Sequence, residues 1–302
     1  MSIEKKARMA VNNGDTYDSV GNVKNLIDTL ENISGGSVPF NLAVTQGKID
    51  GYSKIDKFGL NPTIATTSDP EDVWEGGGIY TYDADDTAPI VSIASSSAAA
   101  DNGIDIEITG LDINGDQVTQ TIALGLTRQT LTTPLWRVYR MANVGDTALT
   151  GTVFCYTGTG TAPSLGDSEV RAVITNGYNQ TLMALYTVPA GKVGFLMRGE
   201  TGMEWSGAGF FANPEAARVH YYSRRYGKVF RVKKSISLIT AGTSVFQDER
   251  TFPDVIPALT DIKLTVEEVS DTMGIWGTFD LLIVDEEQFS DEYLAAIGQP
   301  GY

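Results

Sequence analysis

"GIDIEITGLDINGDQVTQTIAL", Gly103–Leu124, is the stretch whose reading decides the fold class. Ile104, Ile106 and Ile108 alternate with Asp105, Glu107 and Thr109. That two-residue period is what a strand with one buried face requires. Asn114-Gly115 follows, a pair that accepts positive φ and so favours a hairpin turn. Beyond it Val118, Gln120, Ile122 and Leu124 fall on one face of a return strand. Working outward, the same pattern predicts strands near Ile90–Ala94, Leu135–Val144, Thr152–Thr157 and Val170–Ile174. Gln180–Glu200 reads as strand, turn, strand about Pro189-Ala190-Gly191. Further strands are expected in "ARVHYYS", "KVFRVKKSISLI", "TDIKLTVEEV" and "GTFDLLIVD". In "TDIKLTVEEV" Ile262, Leu264 and Val266 alternate with Lys263, Thr265 and Glu267, again a half-buried pattern.

Many short strands with turn signals and almost no helix between them indicate a mainly β protein of antiparallel β-sandwich or jelly-roll-like domains. Residues 1–85 read as an N-terminal extended arm and tether with a short helix, 86–175 as one β-sandwich and 176–287 as a second. Residues 288–302 read as a short C-terminal helix and tail, with Ser290 as N-cap of "SDEYLAAI". The low-charge "TGTGTAPSLGDS" (Thr157–Ser168) reads as a boundary or an exposed tip. In the arm, Val23, Leu26, Ile27, Leu30 and Ile33 form one apolar stripe at helical spacing, closed by Gly35-Gly36. A helix this short needs a surface to dock on, either this chain's own body or a neighbouring subunit.

The chain has 302 residues, 42% of them apolar, enough for a folded core. No stretch approaches the ~20 apolar residues of a membrane span, and the first residues lack the apolar core of a secretory signal. The single cysteine, Cys155, cannot form a disulfide within the chain, as expected of synthesis in a reducing cytosol. The net charge is −16, a surface that repels nucleic acid.

Catalytic constellations are sparse. His220, the only histidine, shares a strand face with Arg218, Tyr222 and Arg224, and no G-x-S-x-G accompanies it. Cys155 in "TVFCYTG" reads as a buried thiol. One His and one Cys do not make a zinc set. Gly76-Gly77-Gly78 lacks the Lys-Ser/Thr of a phosphate loop. Asp83, Asp85 and Asp86, or Asp112 and Asp116, have the hard oxygens calcium takes, but solvated loop and hairpin turn are the plainer readings. No catalytic, cofactor or metal residue is assigned. One contrast stands out. Between Ala216 and Gln247 lie seven of the 22 basic residues and no acid, while the remaining 15 share the chain with 38 acids. Arg224, Arg225, Lys228 and Arg231 are the candidate contacts of this stretch for the acidic surface of a partner or another copy, with a solvated strand face as the alternative.

"FGLNPTIATTSDPEDVWEGGGIYTY", Phe58–Tyr82, is pinned by Pro62 and Pro70 and loosened by its three glycines. It suits a tether, with Phe58, Trp74 and Ile79 as apolar anchors. This stretch resembles the lead-in of a family of tailed-bacteriophage virion structural proteins. "NQTLMALYTVPAGKVGFLMRG" (Asn179–Gly199), "TDIKLTVEEVSD" and "FDLLIVD" share the resemblance. What it implies is a non-enzymatic particle protein located in the virion and assembled in the host cytoplasm. The expected role is a capsid decoration or cement protein on the outside of the head, anchored by its arm to the major capsid protein or another virion protein. A homo-oligomer, by preference a trimer, is expected, with no cofactor, nucleic acid or membrane. A tail, neck or fibre component is the alternative. A glycan-binding spike is another, and would need Trp136, Trp205 and Trp276 to line a groove.

Overall fold

The computed structural model of the chain describes residues 38–66, 69–205, 215–240 and 244–297. The arm helix with Leu26, Ile27 and Leu30 lies outside them. Met1–Ser53 is a unit of its own. Its described part holds α1 (Phe40–Thr45), where Ala43 N–H donates to the Pro39 carbonyl, and the rings of Phe40 and Tyr52 meet edge to face at 5.8 Å.

From Lys54 onward the chain is one compact body, whose described residues form four sheets. The first has the order β1 (Tyr52–Ile64), β16 (Met273–Asp285), β11 (Lys192–Trp205), β14 (Ser244–Ile256). The second has β10 (Leu185–Thr187), β15 (Asp261–Val269), β12 (Glu215–Arg224), β13 (Arg231–Thr240), with β2 (Glu71–Asp72) also paired to β15. These two face each other over a core that includes Leu196, Phe279 and Ile283 from one and Val219, Leu264 and Val266 from the other. The third sheet runs β6 (Gln129–Leu135), β3 (Ile90–Ser95), β8 (Val153–Thr157), β9 (Val170–Ile174), and the fourth β5 (Gln117–Ala123), β4 (Asp105–Leu111), β7 (Arg137–Asn143). Ile93, Phe154 and Val173 meet Ile106, Ile108 and Met141 in their shared core. The architecture is mainly β and antiparallel, in two layered sandwiches.

The opening hairpin forms as its alternation requires: Ile106 and Ile108 are fully buried, and Ile106 pairs with Ile122. Its connection is longer than two residues. The Asp112 carboxylate accepts from the N–H groups of Asn114 (2.8 Å) and Asp116 (3.0 Å), and Gly115 takes φ +81°. That is a side-chain-stabilised turn.

Residues 52–64 and 71–72, read from the sequence as arm and tether, are strands of the second sandwich. Leu60 and Ile64 are buried, Ile64 in the core of that sandwich, and Pro62 is accommodated because β1 is an edge strand. β15 also departs from its half-buried pattern. Lys263 and Thr265 are as buried as Leu264 and Val266: both bond the Asp72 carboxylate, and Lys263 also lies against the rings of Phe230 and Tyr222. After a 3-10 turn at Glu286–Gln288, α2 (Asp291–Ile297) forms with the Ser290 hydroxyl accepting from the Tyr293 N–H at 3.2 Å.

Candidate functional site

Charge is concentrated where the two sandwiches meet. Asp261 opens β15 and is 2% exposed. Its Oδ1 accepts from the Thr187 hydroxyl (2.6 Å) and Arg137 Nε (3.1 Å). Its Oδ2 accepts from Arg224 Nε (2.9 Å) and Nη2 (2.5 Å), and from Arg137 Nη2 (3.3 Å). Arg137 also donates to the Asp83 carbonyl (3.0 Å) and to Asp85 Oδ1 (3.1 Å). Arg171 on β9 grips both oxygens of Asp83, at 2.8 and 2.6 Å. Tyr226 and Gly227 then bind the Asp85 carbonyl and carboxylate, each at 2.7 Å. Aromatic rings close the gaps: the Arg137 guanidinium lies 4.0 Å from the Trp136 ring centroid, and Arg224 lies 4.9 Å from those of Tyr82 and Phe230. Three arginines thus meet three carboxylates, all hydrogen-bonded. Every carboxylate oxygen in the network accepts at least one hydrogen bond. What the network can do is lock β7 and β9 of one sandwich to β12 and β15 of the other.

The Phe58–Tyr82 stretch supplies the second junction. Asp72, fully buried, accepts from Lys263 Nζ (2.8 Å), the Thr265 hydroxyl (2.5 Å) and the Tyr80 N–H (2.9 Å). Trp74 is 5% exposed, donates its indole N–H to the Gly78 carbonyl (3.2 Å) and lies against Gly76, where a Cβ would meet the ring at 2.2 Å. Gly77 and Gly78 take φ of +70° and +61°. The backbone is sewn to the other two family-like blocks. Val73 N–H donates to Leu264 (3.0 Å), Ala184 to Val73 (2.9 Å), Leu264 to Ala184 (3.2 Å), and Leu182 to Glu75 Oε2 (2.9 Å). Gly59 sits so close that a Cβ would meet the Ala184 nitrogen at 2.1 Å and the Val73 carbonyl at 2.6 Å. Gly59→Ala is therefore expected to destabilise the fold by about 3 kcal/mol, since backbone cannot move aside as a side chain can. Urea unfolding checks this.

Two buried ionisable groups flank this junction. Lys57, on β1, is 8% exposed and donates to the Tyr139 carbonyl. Tyr139 is the residue left over where β4 and β7 shift register between Thr109 and Gly110, so its backbone is available. Burial, with Arg140 nearby, pushes the ammonium down to about 7. Burial pushes the Glu75 carboxyl up to about 7, although Leu182 N–H opposes the shift. Glu75 Oε1 is buried with no partner.

The other sequence candidates are dispersed. Phe58 is half-exposed, its ring 6.4 Å from Trp276, and Ile79 is exposed. Trp74 faces inward, so it anchors the segment to this chain. Arg224 is committed to Asp261 and is no surface contact. Arg225 donates to the Ile297 carbonyl (2.6 Å), while Lys228 and Arg231 are exposed. Asp83 and Asp85 belong to the arginine network, leaving Asp86 exposed. Trp136 is buried, so it cannot line a glycan groove with Trp276. His220 lies 3.4 Å from both Tyr222 and Glu267, and the Tyr222 hydroxyl donates to Glu267 at 2.5 Å. Cys155 is buried, its thiol pushed up to about 12 by burial, so it is a poor nucleophile. Among the described residues no group of three or more His, Cys, Asp or Glu converges as a metal site would require. Sequence reading overlooked Arg137, Arg171 and Asp261. The available signal was Arg137 in phase with Leu135 and Tyr139, an arginine in a position the apolar pattern assigns inward.

No protein-family model matches the chain, and neither does any curated protein. Solved structures with some likeness include the infectious bursal disease virus Gt strain, at 14% identity and a TM-score of 0.22, covering 83% of this chain and 79% of that one. The VP2 subviral particle of the same virus gives 11% identity and a TM-score of 0.21 over the same shares. A B. subtilis oxalate decarboxylase variant gives 10% identity and a TM-score of 0.11, over 83% of this chain and 76% of that one. Scores this low do not establish a shared fold.

Proposed function

We propose that the chain is a non-enzymatic structural protein of a tailed-phage virion, a head decoration or cement protein that acts as a homo-oligomer on the major capsid protein. The observation that carries this reading is the convergence of the family-like blocks. Phe58–Tyr82, Asn179–Gly199 and the β15–β16 region are separated by up to two hundred residues in sequence, yet they hydrogen-bond to one another through Val73, Ala184 and Leu264. What resembles the phage family is thus one continuous structural frame. The frame's buried charges are spent on internal cross-links, as a load-transmitting particle component requires. The acidic exterior favours an outward-facing position, away from packaged DNA phosphates. The exposed Lys228 and Arg231 face a partner's carboxylates in this reading, so attachment loosens as salt rises.

Mass spectrometry of density-purified particles from an infected host is expected to find this chain at fixed stoichiometry to the major capsid protein. Cryo-electron microscopy is expected to place it on the head; density on neck or tail would reassign its position. A chain lacking residues 1–37 is expected to fold but not to join particles. Absence of the intact chain from purified particles would end the proposal.

A further inference from the structure

Lys263 and Asp72 meet in a way that no other amine and carboxylate do among the described residues. Asp72 is fully buried and Lys263 6% exposed, and their charges touch in the interior. The other lysine–carboxylate ion pairs, Lys54–Asp56, Lys192–Asp285 and Lys234–Asp248, are all more open to solvent. The buried arginine pairs offer no comparable nucleophile, because a guanidinium keeps its proton. Register brings the two together: β2 and β15 run antiparallel with Asp72 opposite Thr265, so Lys263 is the diagonal neighbour. Lys263 Nζ lies 2.8 Å from both Asp72 Oδ1 and Oδ2. Two equal distances hold the nitrogen within about 3.2 Å of Cγ, a near-attack separation. Each oxygen also has its own donor, the Thr265 hydroxyl on Oδ1 (2.5 Å) and the Tyr80 N–H on Oδ2 (2.9 Å). The ring centroids of Phe230 and Tyr222 lie 4.8 and 5.8 Å from Nζ, and Thr265 is itself 2% exposed. Bulk water is thus kept from the reacting atoms.

We propose that Lys263 and Asp72 join spontaneously in an intramolecular isopeptide bond that ties β2 covalently to β15. One ammonium proton of Lys263 passes to Asp72 Oδ1, the oxygen that the Thr265 hydroxyl holds. The freed lone pair of Nζ attacks Cγ, and the negative charge that develops on Oδ2 is met by the Tyr80 N–H. A second proton passes from Nζ to Oδ1 with the Thr265 hydroxyl as carrier, and the Cγ–Oδ1 bond breaks as water leaves. The new Nζ–Cγ bond is an amide that keeps the third proton on nitrogen and Oδ2 as its carbonyl oxygen. No oxidant, reductant or co-reactant enters. The step is favoured by the loss of two buried charges, since an ion pair desolvated on both sides becomes a neutral amide. This inference is independent of the virion reading.

The test is mass spectrometry of the denatured full chain after recombinant expression. The intact protein is expected to weigh one water less than its sequence. Peptide mapping is expected to recover the Asp72 peptide joined to the Lys263 peptide. Mapping separates this bond from water lost by succinimide formation elsewhere, which leaves the two peptides apart. Lys263→Arg keeps the cation but has no amine nucleophile, so it should return the full sequence mass with the fold retained by circular dichroism. Asp72→Asn is expected to lose ammonia in place of water and so to reach the same final mass as the cross-linked parent. Thr265→Val removes the proton carrier and is expected to leave an uncross-linked fraction in freshly purified protein. Full sequence mass in the parent, or mapping that recovers Asp72 and Lys263 only in separate peptides, would overturn the proposal.

Discussion

Asp261→Ala is expected to lower folding stability by about 3–5 kcal/mol, because it strands two buried arginines. Arg137 and Asp261 each have side chains only 3% exposed, and Arg224 16%. Without the carboxylate, Arg137 retains Asp85 and the Asp83 carbonyl, but Arg224 retains a 3.7 Å approach to Asp85 and the rings of Tyr82 and Phe230. The Thr187 hydroxyl also loses its acceptor. Asp261→Asn should fall between the parent and Ala, since its oxygen still accepts while the charge is lost. Urea denaturation with an unchanged slope is the measurement. A loss under about 1 kcal/mol would show that water reaches the arginines and that the network does not join the sandwiches. The same geometry predicts that Arg224→Glu fails to fold, because its carboxylate would face Asp261 and Asp85. It is therefore no probe of partner binding.

Stability is expected to pass through a minimum near neutral pH, through Lys57 and Glu75. The Lys57 pKa falls from 10.5 in the unfolded chain to about 7 in the fold. Between those values the unfolded chain binds the extra proton, so stability contributed by neutral Lys57 is full above about pH 10 and lost as pH falls to 7. Glu75 has the opposite sign. Its pKa rises from 4.5 to about 7, so its contribution is full below pH 4.5 and lost as pH rises through 7. Each limb has a slope of up to about 1.4 kcal/mol per pH unit, and the alkaline limb is the longer. Above pH 10 the trend reverses, because burial holds the hydroxyls of Tyr80, Tyr139 and Tyr221 protonated in the fold. Urea midpoints from pH 5 to 10 check this. Lys57→Met should flatten the alkaline limb alone and Glu75→Gln the acid limb alone. A flat profile in the parent would show that water penetrates to both groups.

The strand content was legible because a half-buried strand writes its period into the sequence. Ile104, Ile106 and Ile108 announce β4, and Val170–Ile174 coincides with β9. The Ser290 cap of α2 was legible for the same local reason: its hydrogen bond reaches only to Tyr293. Tertiary structure decided which charges lie inside. Arg137 meets Asp261 across 124 residues, Asp72 meets Lys263 across 191, and Lys57 reaches Tyr139 across 82. Nothing local marks these residues, because a charge is stable in a core only when a distant partner arrives with it. "YDADD" reads as a solvated loop until Arg137, Arg171 and Arg224 are placed around it, and Trp74 reads as an outward anchor until Gly76 and Gly78 fold beneath it. Sequence periodicity thus determined that this chain is layered β. The long-range pairing of its buried charges decided how the two sandwiches are joined, since Coulomb attraction depends on distance in space rather than along the chain.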